Sequence, residues 1–436
     1  MSATHTERLE QRRGIVSQAR AAVREAPLVV AAAAIVALHV LDDSFFQPQP
    51  GTSATDHLAS GLVPTAIVLA AAFAYHRLRA GAQAVTALGL GLFGILIGAG
   101  EAAPYALEVG PSGDDYTGLL AIPAGVFLVG LGAITLWRSR KLGDRLWRRY
   151  LRRAALGLAA IAVSVELFGG LALGYVSTHV MRADVPAASL GVPYEDVSFR
   201  TGDGLRLEGW YIPSRNGAAV IAFPGRRGPQ QHARMLARNG YGVLLFDRRG
   251  EGASEGDPNL FGWGGDEDIA AAVEFLRHRP DVDSNRIGGI GFSVGGELML
   301  EYAAESDGLA AVVSEGAGTR AFSEDFQDIP SPDRWIGLPF LVTKTAAVGL
   351  FSNSAPPPDL TELVPRIAPT PLFLIWAPNS GGENMNPEYH RLAGSPKAIW
   401  AIPESSHIQG LATRPEEYER RVVSFFDGAL LEPADR

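Results

Sequence analysis

The apolar residues of this 436-residue chain are concentrated in its first part. Five long apolar runs fall before residue 180, and no run of comparable length follows. Each is close to the ~20 residues with which an α-helix crosses a hydrocarbon core of ~30 Å. The pattern predicts five transmembrane helices, at residues 28–46, 58–75, 82–103, 119–137 and 154–176.

The first of these runs has an alternative interpretation. Its uncharged stretch, residues 28–41, is short, and Asp42 and Asp43 follow it directly. A signal peptide is therefore the competing hypothesis. Four further apolar runs follow, and the segment after Leu41 lacks a small-residue cleavage site. Both features favour a retained helix.

The charges between the runs predict an orientation. Arg and Lys occur in segments 8–24, 77–79 and 138–153, whereas segments 42–56 and 108–115 carry acidic residues and no base. Because short cytoplasmic loops collect Lys and Arg, the N-terminus is expected inside. Five spans then predict a multi-pass protein of the cell membrane whose soluble part is extracytoplasmic.

The second part of the chain has a different hydrophobic period. Residues 195–201 and 205–212 alternate polar and apolar positions, which predicts a β-hairpin joined at residues 202–204. Helical stretches separate most of the later, short apolar runs, and this alternation predicts a mostly parallel sheet. The runs lie at 219–223, 243–246, 287–290, 310–313, 372–376 and 398–402, and the helices at 229–239, 265–279, 293–305, 387–393 and 415–426.

The composition therefore predicts two domains, a membrane domain at residues 1–183 and an α/β domain at residues 184–436. The irregular segment 316–365 is expected to form a small cap insertion, since its proline-rich part cannot be a sheet strand. Its Trp335, Phe340 and Phe351 either line a pocket or pack, and the sequence leaves both open.

Charge and cysteine content exclude several classes of function. The net charge is −9, and the acidic excess lies in the second part of the chain. Such a domain offers no clustered cations for nucleic acid. The chain has no Cys, which excludes disulfides, thiolate metal sites and a cysteine nucleophile. No metal or cofactor is implied.

Two segments match the pattern Gly-x-Ser-x-Gly. Around Ser254 the pattern lies in a loop that runs into Asp257 and Pro258, so no helix opens behind the serine. Around Ser293 the pattern follows a buried strand and opens a helix, which is the context of a nucleophile elbow. We therefore predict Ser293 as a nucleophile and Ser254 as a turn residue.

At this point residues 193–430 resemble the α/β-hydrolase family. The resemblance is carried by Gly-Phe-Ser-Val-Gly-Gly at 291–296, by Asp-Arg-Arg-Gly-Glu-Gly-Ala-Ser at 247–254, and by Ser-Ser-His at 405–407. It implies an α/β-hydrolase sheet with flanking helices and hydrolysis of an ester, thioester or amide bond.

A serine nucleophile needs a histidine base and an acid that orients it. His232, His278 and His390 fall in or at the ends of predicted helices, whereas His407 follows the last predicted strand, so His407 is the predicted base. The resemblance implies an acid after strand 372–376. No Asp stands there, and Glu383 takes that position. Glu315 and Glu388 are the alternatives.

The oxyanion of an acyl transfer needs at least two fixed donors. The N–H of Val294, which follows the nucleophile, is the first candidate. The resemblance places the second in the loop after strand 219–223, where Pro224 stands in place of the usual His, and the N–H of Arg226 is our candidate. The side chains of Arg226 and Arg227 either bind a substrate anion or are solvated.

Several ionisable residues lie within or beside the apolar runs. Glu101 and Glu166 are nominal functional candidates because a carboxylate is costly there. His39 and His57 flank the first outer segment, and a metal or proton site joining them with Asp42 and Asp43 is the alternative to a purely structural role. No ligand spacing demands such a site.

Together these features predict a membrane-anchored serine hydrolase with Ser293, His407 and Glu383 as its triad. A catalytically silent ligand-binding module and an acyltransferase are the alternatives. The substrate, whether a small ester, a lipid or a peptide, and the oligomeric state are not determined by the sequence.

Overall fold

The computed structural model describes residues 5–108, 110–111, 113, 115–138, 146–179, 185–352 and 354–432. The basic segment 139–145 and the predicted domain boundary at 183 lie outside the described residues. The chain divides into two compact units. The first unit comprises Met1–Pro48, Ser53–Met181 and Trp335–Asn353, and the second comprises Gln49–Thr52, Arg182–Arg334 and Ser354–Arg436.

The first unit is helical. In the described part of the chain, five helices are long and apolar enough to cross a membrane, at Val23–Phe46, Leu58–Arg77, Ala80–Ala102, Asp115–Arg138 and Trp147–Thr178. Their regular parts are α1 (His5–Leu41), α2 (Leu58–Ala74), α3 (Ala80–Ile97), α4 (Ala103–Glu108), α5 (Asp115–Arg138), α6 (Leu146–Ser164) and α7 (Gly170–Thr178). The prediction of five apolar helices is confirmed.

Small residues let these helices pack closely. Gly91 on α3 and Gly125 on α5 face one another, and a Cβ on either would lie 2.6 Å from the carbonyl oxygen of the other. Such contacts are typical of helix pairs in membranes, where backbone approach replaces the hydrophobic driving force. In the described residues of this unit, π-helix extends the end of α1 at Asp42–Phe46, joins α3 to α4 at Gly98–Ala102 and joins α6 to α7 at Val165–Gly169.

The structure divides the insertion differently from the prediction. Helices α11 (Phe322–Asp328) and α12 (Asp333–Ile336) lead into α13 (Leu338–Phe351). Residues 335–353 belong to the first unit. Ala347 and Phe351 are part of the buried apolar core of that unit. The aromatic residues of the predicted cap therefore do not form one substrate wall, because α13 packs among the apolar helices.

The second unit contains one sheet. Eight strands in the described residues pair in the order β1-β2-β4-β3-β5-β6-β7-β8. Strands β1 and β2 form the predicted hairpin, β2 pairs antiparallel with β4, and the pairs from β4 to β8 are parallel. The strands are β1 (Glu195–Arg200), β2 (Arg206–Ile212), β3 (Ala219–Phe223), β4 (Gly242–Phe246), β5 (Ile287–Phe292), β6 (Ala311–Glu315), β7 (Leu372–Trp376) and β8 (Lys397–Ala401).

Helices cover this sheet and bury its apolar strands. Strands β3, β4 and β5 are buried along their whole length, which explains their continuous apolar sequences. The fold class is therefore as predicted. The helices are α8 (Gln230–Arg238), α9 (Asp266–Arg277), α10 (Val294–Glu305), α14 (Leu360–Leu363), α15 (Asn386–Leu392), α16 (Gly410–Thr413) and α17 (Pro415–Phe426).

Candidate active site

Ser293 lies in a sharp turn between strand β5 and helix α10. Its backbone has φ 53° and ψ −125°, a conformation that non-glycine residues rarely adopt. The Ser293 N–H donates to the carbonyl oxygen of Glu315 at the end of β6, at 2.9 Å. The strained turn is thus held by the neighbouring strand, as a nucleophile elbow requires.

The glycines on either side of Ser293 permit this turn. A Cβ at Gly291 would lie 2.2 Å from the carbonyl oxygen of Gly295. A Cβ at Gly295 would lie 2.6 Å from the carbonyl oxygen of Phe223. Because real Cβ atoms do not approach backbone so closely, the pattern Gly-x-Ser-x-Gly is a steric requirement of this strand-to-helix connection.

His407 and Glu383 contact one another. Nδ1 of His407 lies 2.6 Å from Oε1 of Glu383. The Glu383 side chain is 1% exposed, whereas the His407 side chain is 42% exposed. The other carboxylate oxygen, Oε2, accepts the N–H of Ala377 at 2.7 Å. The structure therefore brings the predicted base together with the predicted acid.

This contact changes the protonation of His407. The hydrogen bond to Glu383 raises the pKa of the His407 imidazole above its usual value, and partial burial opposes this effect without cancelling it. The carboxylate fixes the orientation of the ring, because Nδ1 carries the hydrogen that Glu383 accepts. Nε2 is then the nitrogen with a free lone pair.

Gly316, directly after strand β6, leaves space for the loops that carry His407 and Glu383. It has φ 73°, and a Cβ there would lie 3.2 Å from Cε1 of His407 and 3.3 Å from Oε1 of Glu383. Since Glu315, the preceding residue, accepts the Ser293 N–H, the end of β6 connects the serine turn to the His407–Glu383 pair.

The alternative acids have other partners. Glu315 is 3% exposed; its two carboxylate oxygens accept the N–H of Gly410 at 2.9 Å and the hydroxyl of Tyr418 at 2.5 Å. Burial raises the pKa of Glu315. Glu388 pairs with Arg391 on the surface. Geometry therefore favours Glu383 over both.

The predicted oxyanion donors differ in availability. Val294 is the first residue of α10, and the first N–H groups of a helix have no acceptor within the helix. The N–H of Arg226, in contrast, donates to Oδ1 of Asp247 at 2.8 Å, and the Arg226 side chain contacts Oδ2 at 2.6 Å. The donor role proposed for Arg226 is therefore not supported.

The same contacts decide between the two interpretations of the arginine pair. Arg226 is 8% exposed and paired with Asp247, and its guanidinium lies 5.3 Å from the ring centre of Trp210. Arg227 is exposed. The buried cation is thus a structural partner of Asp247, which the sequence alone did not reveal.

A pocket of about 310 Å³ opens beside Ser293. Its apolar lining comes from the loops after β3 and β8, from the end of β5 and from helix α16, with Pro224, Pro229, Phe292, Ile408, Leu411 and Ala412. Gly228, Gln231, His232 and Gln409 also line it. None of the described residues that line this pocket is charged at neutral pH, because burial lowers the pKa of His232 to about 3.

His232 is a pocket residue that sequence reasoning assigned to a helix without a role. Its ring centre lies 4.2 Å from that of Phe292, and neither ring nitrogen has a hydrogen-bond partner among the described residues. Its position in the first turn of helix α8, as the third residue after the loop that follows β3, was the available signal.

Glu297 is a second residue near Ser293 that the sequence patterns did not single out. It lies on α10 one turn after Ser293 and is 8% exposed, and burial raises the pKa of its carboxyl to about 7. One carboxylate oxygen accepts the N–H of Gly318 at 3.0 Å. Its spacing of four residues from Ser293 places both on one helix face, which would have marked it.

The ionisable residues of the first unit form a buried cluster. His39 is fully buried and His57 is 4% exposed, so protein atoms enclose both imidazoles. Nε2 of His39 lies 3.5 Å from Glu101, and Tyr175 donates to Asp43 at 2.9 Å. In the described part of the chain, no group of three such residues is arranged to hold a metal ion.

Two sequence comparisons relate this chain to known proteins. A sequence profile of the family described as X-Pro dipeptidyl-peptidase (S15 family) matches residues 182–347. The uncharacterised protein YfhR of Salmonella typhi is 32% identical over 296 residues, which cover 63% of this chain and 94% of YfhR.

Two further proteins are similar over smaller or more divergent regions. The polyketide transferase grgF of Penicillium sp is 34% identical over 131 residues, which cover 28% of this chain and 45% of that protein. The solved esterase Pf2001 of Pyrococcus furiosus is 24% identical, with a TM-score of 0.46 over 57% of this chain and 96% of the esterase.

The extent of the match to YfhR shows a family relationship over almost the whole of that protein. The sheet order, the strained serine turn and the His407–Glu383 pair all lie in the second unit. The chain belongs to the α/β-hydrolase family of serine hydrolases, as the sequence predicted.

Proposed function

We propose that this protein cleaves an ester, thioester or amide bond through an acyl-enzyme intermediate on Ser293. The observation that carries the proposal is the 2.6 Å contact between Nδ1 of His407 and Oε1 of Glu383. A buried carboxylate that orients an exposed imidazole has a clear use when a serine hydroxyl must be deprotonated.

The reaction follows the chemistry of an activated serine. Nε2 of His407 takes the proton from Ser293 Oγ while the oxygen attacks the substrate carbonyl carbon. The N–H of Val294 donates to the oxyanion that forms, aided by the positive end of helix α10. His407 then gives the proton to the leaving group. A water molecule, deprotonated by His407, releases the acid and restores Ser293.

The pocket favours an uncharged acyl group. The described residues of its lining are apolar or neutral, and none of them offers a carboxylate to pair with a free N-terminal ammonium group. The S15 profile takes its name from peptidases that remove a dipeptide. We therefore infer that an ester with an apolar acyl group is a better substrate here than an X-Pro dipeptide amide.

Acyl transfer is a second candidate function. It is favoured by the 34% identity with a polyketide transferase. An acyl-enzyme on Ser293 reacts equally well with an alcohol, provided that the alcohol rather than water reaches the ester carbon. Added alcohols would then change the product without changing the formation of the acyl-enzyme.

The second unit, which carries the serine turn, is the hydrolase unit of the protein. The charges between the apolar helices support an extracytoplasmic position for it. We propose that the helices anchor it to the cell membrane on that side, where a lipid, a peptide or a soluble ester are all accessible.

Labelling of intact cells with a membrane-impermeant fluorophosphonate tests reactivity and sidedness together. We expect labelling of wild type and of Ser254→Ala and none of Ser293→Ala. Equal labelling of Ser293→Ala, or none of wild type after lysis, would favour a silent binding module. Labelling that appears only after lysis would reverse the proposed orientation.

A further inference from the structure

We propose that residues 335–351, inserted between strands β6 and β7, form a re-entrant membrane helix whose outer face contacts lipid acyl chains. This segment is the sixth apolar element of the first unit and lies far from the five candidate spans in sequence. Its packing and its exposed face are independent of whether Ser293 is catalytic.

Helix α13 lies along the second half of the fifth candidate span. Near its start, the N–H of Phe340 donates to Oε2 of Glu166 at 3.0 Å. At its end, the ring of Phe351 meets that of Tyr175 with centres 5.9 Å apart. Glu166, a nominal functional candidate, therefore satisfies a free backbone donor in the first turn of α13.

The two helices approach with almost no space between their backbones. A Cβ at Gly170 would lie 2.6 Å from the carbonyl oxygen of Phe340, and a Cβ at Gly174 would lie 2.4 Å from the Cβ of Ala347. Gly170 and Gly174 form the spacing Gly-x-x-x-Gly, which is typical of helix association within membranes. Helix α13 is thus packed as membrane helices are.

The length of α13 allows entry into a bilayer without crossing. Its 14 residues extend ~21 Å, less than the ~30 Å of a hydrocarbon core. Its N-terminal contact, Glu166, lies ~18 Å along the helix from Thr178 at the end of the fifth span. The segment therefore reaches the level of the middle of that span and returns alongside it.

The outer face of the segment is apolar and exposed. Trp335 is 64% exposed, Ile336 68%, Val342 47% and Leu350 41%. The packed face buries Leu341, Ala347 and Val348. An exposed apolar face on a helix with a buried apolar core on its other side is costly in water and favourable in lipid.

The fifth candidate span, which packs against α13, also exposes apolar side chains, and this favours lipid as the partner of both surfaces. Val165, Leu167 and Leu173 of the fifth candidate span are 40%, 50% and 38% exposed. These residues and the outer face of α13 belong to the same unit and are equally apolar. The only charged residue of α13, Lys344, is half-buried.

The absence of cysteine makes the test direct, because wild type already serves as the cysteine-free background. Single variants Val342→Cys and Leu350→Cys would carry a nitroxide spin label in proteoliposomes. Val126→Cys is the matched lipid control, since Val126 is 56% exposed on the fourth candidate span. Asp196→Cys, exposed on strand β1, is the aqueous control.

Power saturation against oxygen and against a water-soluble nickel complex reads the environment of each label. We expect labels at 342 and 350 to match the label at 126, with high oxygen and low nickel accessibility. A match to the label at 196 would place the helix in water and overturn the proposal. Low accessibility to both would mean a protein neighbour, which equally overturns contact with lipid. Two label positions guard against one variant that fails to fold.

Discussion

Two segments of the hydrolase unit share the pattern Gly-x-Ser-x-Gly and use the serine in opposite ways. Ser254 is fully buried, its hydroxyl donates to the carbonyl oxygen of Asp247 at 2.6 Å and accepts the N–H of Glu208 at 3.0 Å. Ser293 is partly exposed, with φ 53°. The hydroxyl of Ser254 stabilises a turn, whereas that of Ser293 lies at a strained strand-to-helix junction.

The chemistry of the pattern is therefore determined by the elements around it and not by the pattern itself. Around Ser254 the chain continues into a loop, so a short hydroxyl is needed to satisfy backbone groups. Around Ser293 a buried strand precedes and helix α10 follows, so the same glycines provide space for a sharp reversal. If the two serines differ in this way, substitutions at and around them should have measurably different effects.

The largest effect is expected from removing the exposed hydroxyl. Ser293→Ala should lower kcat for ester hydrolysis by ~10⁴-fold or more, because no acyl-enzyme forms. Steady-state kinetics on purified full-length protein would measure it, with a matched Ser254→Ala variant as control. Similar losses in both variants would show that the two serines do not differ in role.

A second, somewhat smaller loss of kcat is expected when the acid that contacts His407 is replaced. Glu383→Gln should lower kcat by ~10³ to 10⁴-fold with little change in KM, because the imidazole loses its orienting carboxylate. Glu388→Gln, on the surface, should stay within a few-fold of wild type. A loss confined to Glu315→Gln would instead assign the acid to strand β6.

The pH dependence should reveal the pairing of His407. Because Glu383 raises the pKa of His407, and because the neutral imidazole is the base, kcat/KM should fall as pH drops through this raised pKa. Glu383→Gln removes the charge that favours the imidazolium, so the acidic limb of its residual activity should move to lower pH by about one unit. A shift toward higher pH would contradict the pairing.

The smallest effect on turnover is expected at the buried serine. Ser254→Ala should reduce the free energy of unfolding by about 1–3 kcal/mol, because the Glu208 N–H is left without its acceptor. Its kcat should remain close to that of wild type. Thermal or denaturant unfolding of the full chain measures the first quantity, and a stability equal to that of wild type would argue against the structural role.

Much of the hydrolase unit was predictable because its signals are local. Strands β3 and β7 begin and end where their apolar runs do, and helix α17 starts at the predicted Pro415. The position of Glu383 came from the resemblance to the α/β-hydrolase family, which implies an acid in the loop after β7. That loop meets the loop after β8 at the carboxyl edge of the parallel sheet.

Long-range packing was not predictable from the same signals. The packing of α13 depends on Gly170 and Gly174, which lie more than a hundred and sixty residues earlier in the chain. The sequence of α13 itself does not identify this packing partner. The availability of the Arg226 N–H likewise depends on Asp247 of the next strand's loop. The local sequence thus predicts each helix and strand, but not the distant residues against which it packs.

The return of residues 335–353 to the helical unit has a practical consequence for anyone who wants the catalytic part alone. Cutting the chain once, after the fifth apolar helix, would leave α13 attached with Leu341, Ala347 and Phe351 stripped of their partners. Such a fragment should aggregate. A soluble version needs two edits, removal of the leading helices and replacement of α13 by a short polar linker between Arg334 and Ser354.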